Sequence, residues 1–590
     1  MLRMLHFIIP YKWRSIAALA LVLGMVGADL MVPRLAQRVI DEGIAAGNMH
    51  VIITTALIMI GAAVVSSVFA IANTILAVQV SQGFAADVRS ALVRKVQSYS
   101  YANLDHIQTG QLLVRTTSDV NMVQLVVRMM LRILTRAPVW FVGSAVMLVL
   151  IDRQLALMVA AFIPLIMGLV WLFARKAQPL FLWVQKKLDK LNTVLQENLA
   201  GVRVVKAFVR VDHENARFDE ANRQLMTKTV QVMQLMALLM PTMMLIVNLG
   251  IVGVVWFGGI STIQGEMTVG QIVAAISYLS FVLFPIMMLA GMIGPLSAAD
   301  ASASRIFKIL DSSADVQETP HARPLDRVRG RIAFEGVSFS YSGINGDPVL
   351  KDIDLVVEPE ETVAILGTTG AGKSTLIHLI PRFYDVTAGR VTLDGIDVRD
   401  LQLHSLRRQI GIALQEAVLF AETVRNNIRY GRPQADDDEI IAAAQAAQAH
   451  EFIKALPQGY DTLIGQRGVN LSGGQQQRIA IARALLVKPK ILILDDSTSA
   501  VDVETEIKLQ DALDQLLQQS RNSEWGGATR LIVAQRISTV LLADKIIVLD
   551  KGWIAAMGTH HELLSTSSLY QDIYRSQLGD GRQLEENNDG

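Results

Sequence analysis

Six apolar runs dominate the first half of the chain, at about residues 15–40, 51–80, 131–151, 154–175, 236–260 and 271–295. A helix needs about 20 residues to cross ~30 Å of hydrocarbon, so each run is long enough to span a bilayer. Short polar breaks separate the first run from the second (41–50), the third from the fourth (152–154) and the fifth from the sixth (261–270). Long charged stretches separate the second from the third and the fourth from the fifth. Basic residues crowd the N-terminus (Arg3, Lys12, Arg14) and both long stretches (Arg89, Arg94, Lys95, Arg115; Arg175, Lys176, Lys186, Lys187, Lys190). The positive-inside rule then puts both termini and the long connections in the cytoplasm, in a multi-pass protein of the cytoplasmic membrane. Long connections inside and short ones outside predict helices that continue past the bilayer as stalks. The first run is too long for the h-region of a cleaved signal and reads as a retained span.

Past residue 310 the pattern changes. Residues 311–330 are polar and carry Pro320 and Pro324, the composition of a linker. RIAFEGVSFSY (331–341) alternates in the manner of a strand, ETVAILG (361–367) reads as a second strand, and ILIL (491–494) as a strand buried on both faces. The expected architecture is multidomain. An all-α transmembrane domain of six helices occupies residues 1–310, with two long cytoplasmic loops. A linker covers 311–330, an α/β domain 331–577, and an acidic, Asn-rich tail 578–590 is too polar to fold.

Bulk composition sharpens this division. Of 590 residues 51% are hydrophobic, and the mean hydropathy is +0.37, high for a wholly soluble chain. The formal net charge is zero, so nothing points to a nucleic-acid partner. The chain has no cysteine, which excludes disulfides, thiol catalysis and thiolate metal sites.

Candidate chemistry begins where the second strand ends. Gly367, Thr368, Thr369, Gly370, Ala371, Gly372, Lys373, Ser374 and Thr375 spell G-x-x-x-x-G-K-[ST] between a strand and a helix, the setting of a phosphate-binding loop. Glycines let backbone N–H groups close around phosphate oxygens, and the helix N-terminus adds a favourable dipole. Lys373 supplies charge to the β- and γ-phosphates of ATP, and Ser374 an oxygen to Mg2+. The apolar run 491–494 ends in Asp495, a carboxylate placed to hold Mg2+ through water.

LSGGQQQR (471–478), just before that run, resembles the signature motif of ATP-binding-cassette proteins. With it the chain resembles a half-transporter of the bacterial ABC exporters, of the multidrug or lipid type, from the first span to about residue 577. The resemblance implies roles for further residues. Tyr341 would stack on adenine, and Gln415 would sense Mg2+ and the membrane domain. Leu471, Ser472, Gly473, Gly474 and Gln475 would complete the ATP site of a second subunit, and Ser499, Ala500, Val501 and Asp502 form the loop that crosses to it. GQRG (465–468) resembles the loop that contacts coupling helices, with Gln466 in place of the usual glutamate. YANLDHIQTGQLLVRTTSDV (101–120) and QENLAGVRVVKAFVRVDHENARF (196–218) resemble the cytoplasmic loops that carry those helices.

Two positions depart from the family's pattern. A glutamate that polarises the attacking water normally follows the strand-end aspartate; here the pair is Asp495-Asp496. Aspartate is one methylene shorter, about 1.5 Å of reach, and a misplacement near 1 Å can cost about a hundredfold in rate. The family's switch histidine is Gln535, which can donate to a phosphate but cannot be protonated. Both changes fall beside the γ-phosphate, so a site that binds ATP and hydrolyses it slowly is expected. The family works as a dimer. The expectation is a heterodimer with a second half-transporter that supplies the catalytic Glu and His. A slow homodimer, or a membrane protein gated rather than driven by ATP, are the alternatives.

In the spans, Asp29 is either part of a substrate path or paired with a neighbouring helix, or it is hydrated near the outer interface. Pro33, Pro241 and Pro285 are expected to kink their helices. Met240, Met243, Met244, Trp256, Phe257, Tyr278, Phe281, Phe284, Met287 and Met288 are soft or aromatic side chains, suited to a pocket for hydrophobic or amphipathic substrates or to packing.

Overall fold

The computed structural model describes all residues except Met1, His106, Asp326, 344–345, 498–501, 521–526, Gln535, Leu542 and 579–590. Ser499, Ala500, Val501 and Gln535, and the tail beyond Leu578, therefore lie outside the described residues. The chain divides into two compact units: Met1–Gln97 with Thr109–Ser312, and Ser98–Gln108 with Ser313–Gly590.

The first unit is helical and holds six spans, Arg3–Ile44, Met49–Gln97, Thr109–Ile151, Arg153–Ala200, Val211–Ile263 and Val269–Ile286. Three of them contain unbroken α-helices of 48 to 53 residues. At 1.5 Å per residue these are roughly 70–80 Å long, more than twice the hydrocarbon thickness. Prolines 33, 241 and 285 sit inside helices that continue past them.

The third span begins at Thr109, well before the apolar run at 131, because its polar first half is also helical. Two π-turns, Arg115–Asp119 and Met130–Leu134, interrupt it. A π-turn widens the helix and leaves carbonyls in need of other donors. Buried Asn73 of the second span donates Nδ2–H to Leu131 O at 3.3 Å and to Ala18 O at 2.9 Å, and so ties three spans together. Gly143 lets the third span close on the first, since a Cβ there would lie 2.4 Å from Leu30 Cδ1. In the last turn of the first span, Asp41 accepts from Gly270 N–H (2.9 Å) and Thr268 Oγ1 (2.5 Å) and holds the start of the sixth.

Asp29 is paired. Its carboxylate accepts from Ser66 Oγ at 2.5 Å and from Arg136 at 3.2 Å. The Arg136 guanidinium also lies 3.9 Å from the Trp140 ring centroid, and Trp140 stacks on Phe281 (5.5 Å between centroids, 8° between planes). Of the soft and aromatic residues, Met243 and Tyr278 are buried in helix packing, with Tyr278 OH donating to Leu30 O at 2.7 Å. Met240, Met244, Trp256, Phe257 and Phe284 lie on the surface of the chain.

The second unit is α/β. An antiparallel sheet of β1 (Ile332–Phe339), β2 (Leu350–Val357), β4 (Ala388–Leu393) and β5 (Ile396–Asp397) runs in the order β2-β1-β4-β5. The larger sheet joins β3 (Thr362–Gly367), β6 (Ile410–Ala413), β7 (Ile491–Asp495), β8 (Thr529–Val533), β9 (Lys545–Asp550) and β10 (Trp553–Gly558) in the order β10-β9-β3-β8-β7-β6. All its pairings are parallel except β9 with β10. Strands β3 and β7 are buried almost throughout, which is why their sequences are continuous apolar runs.

The stretch expected as a linker is laid along this unit rather than left free. Val316 and Leu325 are buried, Leu325 N–H donates to Ser405 Oγ (2.6 Å), and Arg323 and Gln402 are joined backbone to backbone (3.0 Å). These two buried side chains, with half-buried Val328 packed against the same core, anchor it. The helix Tyr101–Asp105, from the first long connection between spans, belongs to this unit, with Ala102 packed against its core.

Candidate nucleotide site

Parallel strands deliver the ends of β3 and β7 to one edge of the sheet, and β8 lies between them with Val533 level with both Ile365 and Asp495. Ligands in open α/β sheets sit outside this carboxyl edge. The chain leaves β3 at Gly367, whose φ of +148° and whose missing Cβ, 2.2 Å from Leu549 O, admit only glycine. Gly370 and Gly372 also have positive φ (+83° and +102°), and the helix Lys373–Leu379 follows at once. The loop thus wraps a cavity of about 350 Å3 lined by Tyr341, Val349, Thr369, Gly370, Gly372, Lys373, Ser374, Thr375, Gln415, Asp496 and Val533.

Lys373 lies across the loop, its Nζ donating to Gly367 O (2.7 Å) and Thr368 O (3.0 Å). Ser374 Oγ donates to Asp495 Oδ1 at 3.0 Å, and Tyr341 OH and Thr375 Oγ1 are hydrogen-bonded at 3.0 Å. Gln415 Nε2 donates to Asp496 Oδ2 at 3.2 Å. Asp496 takes a left-handed backbone (φ +48°), uncommon for a residue with a side chain and typical of functional turns.

Burial raises the proton affinity of both carboxylates, Asp495 against the pull of Ser374 and Lys373, and Asp496 with repulsion from Asp495 added. Burial also lowers the Lys373 ammonium pKa, opposed by those two aspartates. Two desolvated carboxylates against one ammonium leave an excess of negative charge, with a hydroxyl 3.0 Å from one of them. That donor set fits a hard divalent cation such as Mg2+. Among the described residues no three His, Cys, Asp or Glu side chains are grouped to hold a metal by themselves, so phosphate and water oxygens would complete its shell.

The signature residues lie elsewhere. Leu471 is buried, while Ser472 and Gly473 are exposed at the start of the helix Gly473–Leu486. Ser472 and Gln475 form a capping box, with Gln475 N–H donating to Ser472 Oγ (3.3 Å) and Ser472 N–H to Gln475 Oε1 (2.9 Å). Gly474 follows on the same first turn. Gln476 donates to Gly468 O (2.8 Å) and Leu471 O (3.2 Å), which fastens the GQRG turn to this helix. Asp502 accepts from Thr505 N–H at 2.9 Å.

Residues that sequence reasoning passed over include Ser66, Asn73 and Arg136 in the spans and Asp105, His378, Phe383 and Tyr384 near the nucleotide cavity. A polar residue in an apolar run was the available signal for the first three. For the others only the folded chain brings the partners together.

Comparison with known proteins gives the same division. The family profile "ABC transporter transmembrane region" matches residues 15–286, and "ABC transporter" matches 350–499. An ABC transporter ATP-binding protein of Bacillus subtilis is 42% identical over 98% of this chain and 99% of its own length. The ATP-dependent lipid A-core flippase of Syntrophus aciditrophicus is 38% identical over 86% and 82%. A putative multidrug export ATP-binding/permease protein of Staphylococcus aureus is 36% identical over 98% and 99%. Among solved structures, a bacterial Atm1-family ABC exporter with ATP bound superposes with a TM-score of 0.81 at 28% identity, over 97% of this chain and 99% of that one.

Proposed function

Since the chain belongs to the ABC transporter family and is an ATP-driven exporter subunit of a multi-pass membrane protein, we propose that it is the half of a heterodimeric exporter that carries the degenerate ATP site. Its cargo is a hydrophobic or amphipathic compound, in keeping with relatives described as a lipid flippase and a multidrug exporter. Its termini and ATPase domain face the cytoplasm, as the distribution of Lys and Arg indicates.

The observation that carries the reading is Asp496. It lines the nucleotide cavity at the position where the family has glutamate, and Gln415 already occupies one of its oxygens. A carboxylate one methylene short, and engaged by an amide, is poorly placed to polarise an attacking water.

In this reading Tyr341 stacks on adenine. The backbone of residues 367–372 and the N-terminus of the helix Lys373–Leu379 cradle the phosphates. Lys373 swings from the loop carbonyls onto the β- and γ-phosphates. Ser374, Asp495 and Gln415 would hold Mg2+, which would neutralise phosphate charge. Ser472 to Gln475 of this chain complete the other ATP site, on the partner half-transporter, whose Glu and His hydrolyse.

The test is turnover. The chain purified alone hydrolyses ATP slowly, and Asp496→Glu with Gln535→His raises the rate by about tenfold or more. In the assembled pair, changing the partner's catalytic Glu to Gln abolishes ATPase, whereas Asp496→Asn costs little. Brisk hydrolysis by the unmodified chain alone sinks the heterodimer in favour of a homodimer.

A further inference from the structure

Asp495 closes strand β7, and two residues of the helix Lys373–Leu379 face its carboxylate. Side chains at i and i+4 share a helix face, so Ser374 and His378 stand one turn apart on the same side. Ser374 Oγ donates to Asp495 Oδ1 at 3.0 Å. His378 Nε2 lies 3.7 Å from Oδ2, just outside hydrogen-bond range. Among the described residues Oδ2 accepts no hydrogen bond.

That unmade contact is unusual for groups so enclosed. The Asp495 side chain is 3% exposed and that of His378 19%. Nε2 itself is buried and has no partner among the described residues, although most buried polar atoms in proteins are paired. A donor and an acceptor, each without a partner, thus face each other. Closing by about 0.7 Å would join them at normal length. Phe383 keeps the ring at the strand end: the two ring centroids are 5.7 Å apart, and Phe383 N–H donates to His378 O at 3.1 Å.

His378 does not line the nucleotide cavity, whereas Ser374 and Asp496 do. Among the described residues it belongs to no group of three His, Cys, Asp or Glu side chains able to hold a metal directly. Its one polar neighbour of consequence is the Asp495 carboxylate.

We propose that His378 is a positioning residue for the metal end of the site: it donates Nε2–H to Asp495 Oδ2 and fixes the carboxylate that would hold Mg2+. The inference rests on the Mg2+ placement proposed above. There Ser374 gives its oxygen to the metal, so Asp495 Oδ1 loses the donor it now has. A carboxylate held at neither oxygen is free to turn. With Oδ2 bound to His378, Oδ1 stays directed to the side of Ser374. Outer partners of this kind orient metal-holding groups, and losing one typically costs about 10- to 100-fold in metal affinity.

Trinitrophenyl-ATP titration of the full chain, once with Mg2+ and once with EDTA, reads the metal end apart from the rest of the cavity. The unmodified chain binds more tightly with Mg2+, and Asp495→Asn loses most of that gain. His378→Phe keeps an aromatic ring without a donor. It is expected to leave affinity in EDTA within about twofold and to lose most of the Mg2+ gain, about tenfold in affinity or more. His378→Gln, whose amide nitrogen can donate from about the place of Nε2, restores the gain. A full Mg2+ gain in His378→Phe overturns the proposal, and so does a Gln variant as poor as the Phe one. A fall of about tenfold in EDTA for His378→Phe also overturns it, by making His378 part of the nucleotide cradle or of the fold. An Asp495→Asn chain that keeps the full Mg2+ gain overturns the placement of Mg2+ itself, whatever His378 does.

Discussion

Glu439 shows how much one half-buried carboxylate can hold when two cations converge on it. It accepts from Lys488 at 2.7 Å, is paired with Arg432, and closes a capping box with Asp436 at the start of the helix Asp437–Ala446. Hydrogen bonds from Arg432 and then Lys488 depress its pKa to about 2, from 4.5. A depressed acid contributes stability that is complete above its unfolded value and lost as pH falls through the folded one. Because the pair is partly solvated, the contribution is on the order of 1 kcal/mol rather than the full shift. Glu439→Gln should lower the ATPase unit's melting temperature at pH 7, and the gap from wild type should close between pH 4.5 and about 2. A pH-independent gap would mean that the charge pairing with Arg432 and Lys488 is not what the substitution removes, since Gln can still close the capping box.

At the scale of elements, the apolar runs made all six spans legible, because a membrane helix must hide its backbone over a fixed length. The glycine spacing likewise announced the phosphate loop, since Gly367, Gly370 and Gly372 are needed for positive φ. What could not be read was the partner of each polar residue. Asp29 stood out in its run, but Arg136 lies 107 residues away and outside the first span's sequence context. The π-turn that Asn73 serves has no sequence signature of its own. The same distance hid Tyr384 from Asp105, 279 residues apart. The Asp29–Arg136 pair joins the first span to the third with side chains only 20% and 31% exposed, so removing one partner strands the other in low dielectric. Asp29→Asn should destabilise the detergent-solubilised protein by about 2 kcal/mol or more. Asp29→Asn with Arg136→Met should recover much of that loss. If the double variant is no better than the single, the pair is not what holds these helices.

For the whole molecule, the geometry that bears on the proposed dimer is the separation of the phosphate loop from residues 471–475 within one chain. The phosphate loop lines a cavity that, among the described residues, includes none of residues 471–475, while Ser472 stands exposed at a capped helix N-terminus. In the function proposed above, this terminus, with its positive dipole end, receives the phosphate held by the second subunit. Ser472→Asp tests the division without unfolding the helix, since Asp caps as well as Ser. It places a carboxylate where the γ-phosphate held by the second subunit would arrive, and like charges there are repelled. The expected outcome is a fall in ATPase of the assembled transporter by about tenfold or more, with trinitrophenyl-ATP affinity of this chain alone unchanged within about twofold. Loss of affinity in the isolated chain would mean that its signature serves its own phosphate loop. Full ATPase in the complex would mean that the competent site is completed by some other surface.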